Sequence, residues 1–499
     1  MKTTPTLLDR LQFFALAPRD WCLRLLCSSY HTFVWAYSLM IPRLMAWSGG
    51  LRARRALFRA ARTVPAYAAH LESSGDTAPE TDKASYVNRH PTETRCRAGL
   101  LPFRHVTIDE SSGSTGTPYN WVRTRRERIE SQRFISYFAR YCYGAESRIV
   151  INAFSMGAWA TGVNMGQALE ANGLVKNTGP DLGKIFSTLR FFGPQHPYLI
   201  LGYPPFLKRL IDAAGEANFP LGRYRLDALV GGEGMSEGLR DYLLQRFRRV
   251  YSGYGATDLE IGIAGETPVS VAIRRLAAHD PRVRQALFGS ESRLPMIFQY
   301  NPLMHHIEVN ARQELLFTIT RDSLLSPRIR YNVHDEGGVA RFDELAARLR
   351  PFGCDPRTLV HSAEPVLRLP FVWVFGRRDS TISVMGANIY PEDIEQCLYS
   401  DPALARITRS FCLSLSEHAA QVRPCFLFEV EIEPTEELRA RFAATMVSKL
   451  EQMNADYREA RHEYPAALQP EIVLCRPGEG PFAANAGRIK QLRVLPVAA

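Results

Sequence analysis

The chain has 499 residues, 46% hydrophobic and 22% charged, with a formal net charge of +10. This is an ordinary globular composition, long enough for more than one packed core, and it argues against a disordered chain. The excess charge is mainly arginine and no recognition module accompanies it, so nucleic acid is not the expected partner.

Residues 1 to about 75 have helical spacing, closing near Val64-Pro65-Ala66-Tyr67. Within them Arg52, Arg54, Arg55, Arg59 and Arg62 interleave with Leu51, Ala56, Leu57, Ala60 and Val64, which predicts a surface helix. The stretch from Leu25 to Pro42 carries no Lys, Arg, Asp or Glu, yet it holds Cys27, Ser28, Ser29, Tyr30, His31, Thr32 and Ser38. It is too polar for a membrane span and lacks the charge and cleavage pattern of a signal peptide. An amphipathic, mostly buried helix is expected there, with peripheral membrane contact as the lesser alternative. Nine cysteines without a C-x-x-C pair point to reduced thiols and a cytoplasmic location.

A loop rich in Ser, Gly, Asp, Thr and Pro follows from Ser73 to Lys83, and helical spacing returns from Arg125 to Tyr143. Buried strands are expected at 148–154, 198–201, 228–230 and 249–252, with helices at 206–216 and 236–248. That alternation predicts α/β layers around a largely parallel sheet. Strands follow at 296–308, 313–320, 328–338, where acids and glycines close the run, and 372–379. Beyond them come a helix from Pro391, strands near 411–414 and 425–431, a long helix from Thr435 to about Tyr464, and a last strand at 471–475. The fold class expected is α/β: a large N-terminal domain over 1–375, with layered sheets and helices, and a small mobile α+β domain over 376–499.

Between Asp109 and Tyr119, six small or hydroxylated residues run together, Ser111-Ser112-Gly113-Ser114-Thr115-Gly116, followed by Thr117 and Pro118. Glycines let a backbone approach a ligand, hydroxyls donate, and successive amides form an anion-binding concavity. The spacing is not that of a G-x-x-x-x-G-K-[ST] loop and its lysine is missing. A flexible linker has the same composition.

Four stretches decide between these readings: this loop, Tyr254-Gly255-Ala256-Thr257-Asp258, Tyr331 to Asp335, and Gly376 to Asp379 with Gly386 to Glu395. In that order and spacing they resemble the adenylate-forming superfamily of acyl-CoA synthetases, peptide-synthetase adenylation domains and luciferases. The run Asn152 to Gly162, Gly231-Gly232-Glu233-Gly234 and Glu314 to Thr318 narrow the likeness to the phenylacetate-CoA ligase branch. The resemblance covers residue 55 or so to the C-terminus.

It implies an enzyme that uses ATP and Mg²⁺ to turn a carboxylic acid into an acyl-adenylate and then transfers the acyl group, in the leading reading to CoA. Ser111, Ser112, Gly113, Ser114, Thr115 and Gly116 would hold pyrophosphate, although Thr117 stands where the family usually has lysine. Tyr254 and Gly255 would lie against adenine, with Gly232 and Glu233 as the adenine-side wall. Thr257 would reach the α-phosphate and Asp258 would hold Mg²⁺. Asp335 would take the ribose hydroxyls, and Arg377 follows it. A hinge is implied at Asp379, although Ser380 replaces the usual second aspartate. Gly386, Ala387 and Asn388 would face the CoA thiol.

The catalytic lysine of the superfamily corresponds to Lys490 in Gly487-Arg488-Ile489-Lys490-Gln491-Leu492-Arg493, with Arg488 as the alternative. Phe154, Met156, Trp159, Gly162 and Tyr203 are the candidate acid pocket, suited to a flat ring or an alkyl chain, and an aromatic acid is the implied substrate. Asn454, Tyr457 and Arg461 are also similar to amide-forming relatives, so an amine or a carrier protein competes with CoA as acceptor. A degenerate nucleotide-binding scaffold is the alternative from another class, favoured by Thr117, Ser380 and Arg488. The expected assembly is a cytoplasmic enzyme without an integral membrane span, with a homodimer as one option.

Overall fold

A computed structural model describes residues 5–26, 28–75, 78–111, 119–157, 160–289, 291, 293–360, 364–377, 381–385, 387–418, 421–485 and 493–495. The chain divides into two compact units. One comprises Met1–Gly179, Tyr251–Gly289 and Pro295–Phe375, and the other Pro180–Val250, Ser290–Leu294 and Gly376–Ala499. The second unit thus takes in residues 180–250 as well as everything from Gly376 onward.

The first unit opens with helices Leu7–Leu26, Tyr30–Leu39, Pro42–Thr63 and Pro65–Ser74. Proline opens the last two, where its missing N–H costs no intrahelical bond. The uncharged stretch becomes Tyr30–Leu39, which buries Tyr30, Phe33, Val34, Ala36 and Tyr37. Val106–Glu110 and Asn120–Thr124 form an antiparallel hairpin, placing Trp121 opposite Asp109. Thr124 caps the helix Arg125–Tyr143 by accepting the Glu127 amide.

Seven strands of this unit lie side by side in the order His305–Val309, Glu314–Ile319, Tyr331–Ala340, Phe371–Arg377, Met296–Tyr300, Glu260–Gly265, Val250–Ala256. Their registers are antiparallel where they are defined, while Arg148–Asn152 and Gly173–Asn177 pair in parallel. The largely parallel sheet expected from the sequence therefore holds only for the α/β alternation, not for the later strands.

The acid-glycine run at 335–338 does not close a strand. It lies inside Tyr331–Ala340, because a Cβ on Gly337 would come within 2.1 Å of the Trp373 carbonyl and one on Gly338 within 2.3 Å of its ring. Close approach of a neighbouring strand, not a turn, selects these glycines.

In the second unit, Pro197–Gly202 and Arg225–Gly231 pair in parallel. A three-stranded sheet, Thr408–His418, Gln421–Val430 and Glu471–Cys475, carries the remaining core, in which Phe411, Leu413, Phe426, Phe428, Phe442 and Met446 are buried. The long helix expected over 435–464 is broken. Glu436–Met453 ends at Asn454, whose β-region backbone (φ −107°, ψ 107°) starts a second helix, Ala455–Glu463. Asn is a strong N-cap, and its side chain accepts the Tyr457 amide.

Candidate active site

Residues 81–83 reach the candidate site by pairing with an edge. Thr81 bridges Tyr331 in parallel, giving its N–H to the Arg330 carbonyl at 3.1 Å and accepting the Asn332 N–H at 2.7 Å. Asp82 then caps the single helical turn Lys83–Val87. Two residues past the bridge, the Lys83 ammonium stands 3.3 Å from Asp258 Oδ2.

Asp258 sits in the turn between strands Val250–Ala256 and Glu260–Gly265, a hairpin turn and not the strand-to-helix turn that Gly255 and Asp258 also suit. A Cβ on Gly255 would lie 2.8 Å from the Glu260 carbonyl and 2.9 Å from the Gly262 amide, so the neck of the hairpin admits only glycine. The indole N–H of Trp121 donates to Asp258 Oδ1 at 3.0 Å, and the Tyr331 hydroxyl donates to Oδ2 at 3.3 Å.

Tyr254, on the hairpin, donates its hydroxyl to Asp335 Oδ2 at 2.6 Å. Tyrosine and aspartate are thereby exchanged reciprocally. The hairpin sends Tyr254 to Asp335, and the strand bearing Asp335 returns Tyr331 to Asp258. Burial first, then the partner aspartate, pushes both phenols well above their ordinary range, which leaves them as neutral donors. The Tyr254 ring packs against Phe298 and Phe317 at centroid distances of 5.6 and 6.0 Å.

Arginines hold the turn from behind. Arg123 donates Nε to Asp109 Oδ2 at 2.7 Å, Nη1 to the Leu259 carbonyl at 2.8 Å and Nη2 to the Thr257 carbonyl. Arg328 donates to the Asp258 carbonyl at 3.0 Å and lies 4.3 Å from the Trp121 ring centre. Burial, then the nearby Arg123, draws the Arg328 guanidinium below its usual pKa, short of discharging it at neutral pH. Glu260 is clasped by His305 and Arg321. Burial raises its pKa, but Arg321 and then His305 outweigh this and bring it to about 2.

Ser111 closes the neck of the glycine-rich loop. Its N–H donates to the Tyr119 carbonyl at 2.9 Å and its Oγ accepts the Tyr119 N–H at 2.8 Å. The loop's own candidates, Ser112, Gly113, Ser114, Thr115 and Gly116, lie outside the described residues, as do Trp159, Asp379, Gly386 and Lys490.

The candidate pocket residues of the first unit converge. Asn152 Nδ2 donates to the Gly162 carbonyl at 2.7 Å, Phe154 is buried, and a Cβ on Gly162 would fall 2.2 Å from the Ser155 carbonyl and 3.1 Å from Met156 Sδ.

In the second unit, Tyr203 covers Gly232. A Cβ there would sit 2.6 Å from the ring, at a φ of +85° that glycine alone adopts without strain. Glu233 follows it, half-buried, and Arg377 ends the strand Phe371–Arg377. Ala387 is buried in the short strand Ala387–Ile389, and the Asn388 carbonyl accepts from Asn454 Nδ2 at 2.8 Å. Asn454, Tyr457 and Arg461 serve internal bonds: Asn454 also donates to Asp393, the Tyr457 hydroxyl donates to the Leu468 carbonyl, and Arg461 pairs with Glu451. Arg493, which ends the C-terminal motif, donates to the Phe411 carbonyl at 3.0 Å and stacks 4.1 Å from that ring.

The motifs led to Asp258, Asp335 and Tyr254, but not to Lys83, Trp121, Arg123 or Arg328. Lys83 sits in what reads as a polar loop, and only the pairing of Thr81 with Tyr331 brings it to Asp258.

As a magnesium ligand Asp258 has the right hard oxygen, but Oδ2 already faces an ammonium and Oδ1 an indole N–H. Among the described residues no three His, Cys, Asp or Glu are grouped to hold a metal. The side chains as arranged do not fit a resident Mg²⁺.

No protein-family model matches the chain, and no curated protein matches it. Among solved structures, 2-hydroxyisobutyryl-CoA ligase in its postadenylation state with R3-HIB-AMP is similar over 92% of this chain and 90% of its own, with a TM-score of 0.62 and 14% identity. The same ligase in complex with 2-HIB-AMP and CoA, in the thioesterification state, matches over 92% and 91%, with a TM-score of 0.53 and 15% identity. The chain has the fold of these acyl-CoA ligases.

Proposed function

We propose that this protein is an adenylate-forming ligase that activates a carboxylic acid, aromatic in the leading reading, and passes the acyl group to CoA. The observation that carries the proposal is the reciprocal Tyr254–Asp335 and Tyr331–Asp258 pairing, which gathers two separated motif segments in a chain with an acyl-CoA ligase fold.

In the first step a carboxylate oxygen bonds to the α-phosphorus of ATP and the bond to pyrophosphate breaks. In the second the thiol sulfur of CoA bonds to the acyl carbon, gives up its proton, and AMP leaves. Both steps crowd anions, so the site needs fixed positive charge and donors. Lys83 supports this reading, because its ammonium lies at the turn that would face the α-phosphate and compensates for the lysine absent at Thr117. Asp335, oriented by the Tyr254 hydroxyl, takes the ribose hydroxyls. Thr257 contacts the α-phosphate, and its carbonyl is held by Arg123. Lys490 approaches the acid carboxylate, and Asp379 is the hinge of the segment from 376 onward. Mg²⁺ would enter with the triphosphate and not as an ion resident on these side chains. A cytoplasmic location agrees with the free thiols of the described cysteines.

ATP–pyrophosphate exchange across a panel of aryl and alkyl acids tests the first step, and weighing the products formed with CoA, amines or a carrier protein tests the second. Exchange with no acid in the panel overturns the proposal; exchange without any thioester overturns the CoA step. Lys490→Ala should abolish exchange, whereas full activity in that variant with loss in Arg488→Ala would transfer the role to Arg488.

A further inference from the structure

The helices that open the chain bury one apolar face and leave a second set of large apolar side chains in solvent. On Leu7–Leu26, Leu7, Leu11 and Phe14 recur at the spacing of one helical face, yet they are 76%, 60% and 81% exposed. Asp9, on the opposite side, is 1% exposed. Its carboxylate accepts the Thr6 N–H at 2.8 Å and the Thr6 hydroxyl at 2.7 Å, and pairs with Arg54 at 3.1 Å. On this helix Asp9 and Leu16 are inside, while Leu7, Leu11 and Phe14 are outside.

The next two helices continue this face. Trp35 and Leu39, one turn apart on Tyr30–Leu39, are exposed, Ile41 caps the corner, and Leu44 and Trp47 are exposed on Pro42–Thr63. Eight of the large apolar side chains standing in solvent among the described residues thus fall between Leu7 and Trp47. Isolated exposed apolar residues are ordinary, but a run of them on packed helices marks an interaction surface.

Charge decides what it fits. Between Leu7 and Thr63 there are nine arginines, two aspartates and no other charged residue, a net +7 of the chain's +10, with Arg55 and Arg59 sharing Asp322 and Arg54 pairing with Asp9. Arg43, Trp47 and Arg54 share one stripe of Pro42–Thr63 at i, i+4 and i+11, and the Arg43 side chain is 79% exposed. Its pair with Asp343, at 3.3 Å, is a surface contact that exchanges cheaply.

We propose that the outer face of residues 7–63 docks the protein on an anionic lipid surface. Two tryptophans sit where amphipathic rings favour the headgroup level, leucines and phenylalanine enter the acyl boundary, and arginines meet the phosphates. Among the described residues no helix is long and apolar enough to cross a membrane, so the helices lie in the plane of the interface.

The test spins the full chain with vesicles of phosphatidylcholine alone or with phosphatidylglycerol added. Binding to the anionic vesicles only, weakened by salt, is expected. A Leu11→Gln, Phe14→Gln, Trp35→Ser, Trp47→Ser variant with an unchanged melting temperature should bind at least about ten-fold more weakly. Quenching of the parent's tryptophan fluorescence by bromolipids should accompany binding and provides a readout that needs no variant. Absence of binding to anionic vesicles, equal binding by the variant, or no quenching overturns the proposal. So does a dimer in sedimentation equilibrium that the variant dissolves, since a second copy would then be the occupant.

Discussion

Around Asp258 the first unit buries charge among aromatic rings, whereas along its opening helices it leaves aromatic and aliphatic groups in water. The first arrangement is stable because each charged group has counted partners: three acceptors for Arg123, an ion pair and two donors for Asp258. The second leaves apolar surface in solvent, with Leu7, Phe14 and Trp47 exposed at 76%, 81% and 52%. Burial against expectation is held by the fold, and exposure against expectation points to something outside the fold.

The largest break in this contrast should come from Arg123→Ala. It strands Asp109 and two carbonyls, and about 3–5 kcal/mol of stability should be lost in a urea titration. Lys83→Ala removes a half-exposed cation instead. Pyrophosphate exchange should fall about 10²-fold, roughly 2.7 kcal/mol in barrier, with little change in melting temperature. Equal losses in both quantities would make Lys83 a structural partner of Asp258 only. Gly232→Ala places a methyl group against Tyr203 at positive φ, and a loss of about 1–2 kcal/mol in the same titration is expected.

A smaller effect is tied to pH. The His334 ring lies 3.4 Å from both Asp82 and Glu314, and chiefly the Asp82 contact holds its pKa above the ordinary value. The folded state therefore binds the proton more tightly. Its stabilising contribution is complete below about pH 6.5, the value for an unfolded histidine, and is lost as pH rises through the higher folded pKa. Melting temperature should decline over that window, and His334→Gln should flatten the decline. Smallest of all, Phe14→Gln should change solution stability by no more than about 0.5 kcal/mol, which would sharpen the contrast with Arg123.

Much of the fold could be read in sequence because local signals agreed with tertiary demand. Thr124 caps a helix, prolines open others, and the apolar runs at 198–201 and 228–230 fall within the strands Pro197–Gly202 and Arg225–Gly231. The continuous helix over 435–464 failed since an asparagine cap inside a periodic pattern is invisible to periodicity. The glycines at 337 and 338 read as a turn because the residue that demands them, Trp373, is distant in the chain. For the site, the motifs pointed to Asp258, Asp335 and Tyr254, whereas Lys83, Trp121 and Arg123 depend on pairings between remote strands. The outward leucines of the first helix were unreadable for a related reason. Periodicity reveals that a helix has an apolar face, not which way that face points.

One asparagine has consequences for how the second unit comes apart. Asn454 spends both amide hydrogens, on the Asn388 carbonyl and the Asp393 carboxylate, and its oxygen takes the Tyr457 N–H. A strand, the start of one helix and the start of another therefore share one solvent-shielded side chain. Their amide protons should exchange with deuterium at a common rate, as a single opening unit, and replacing Asn454 should split that rate into three.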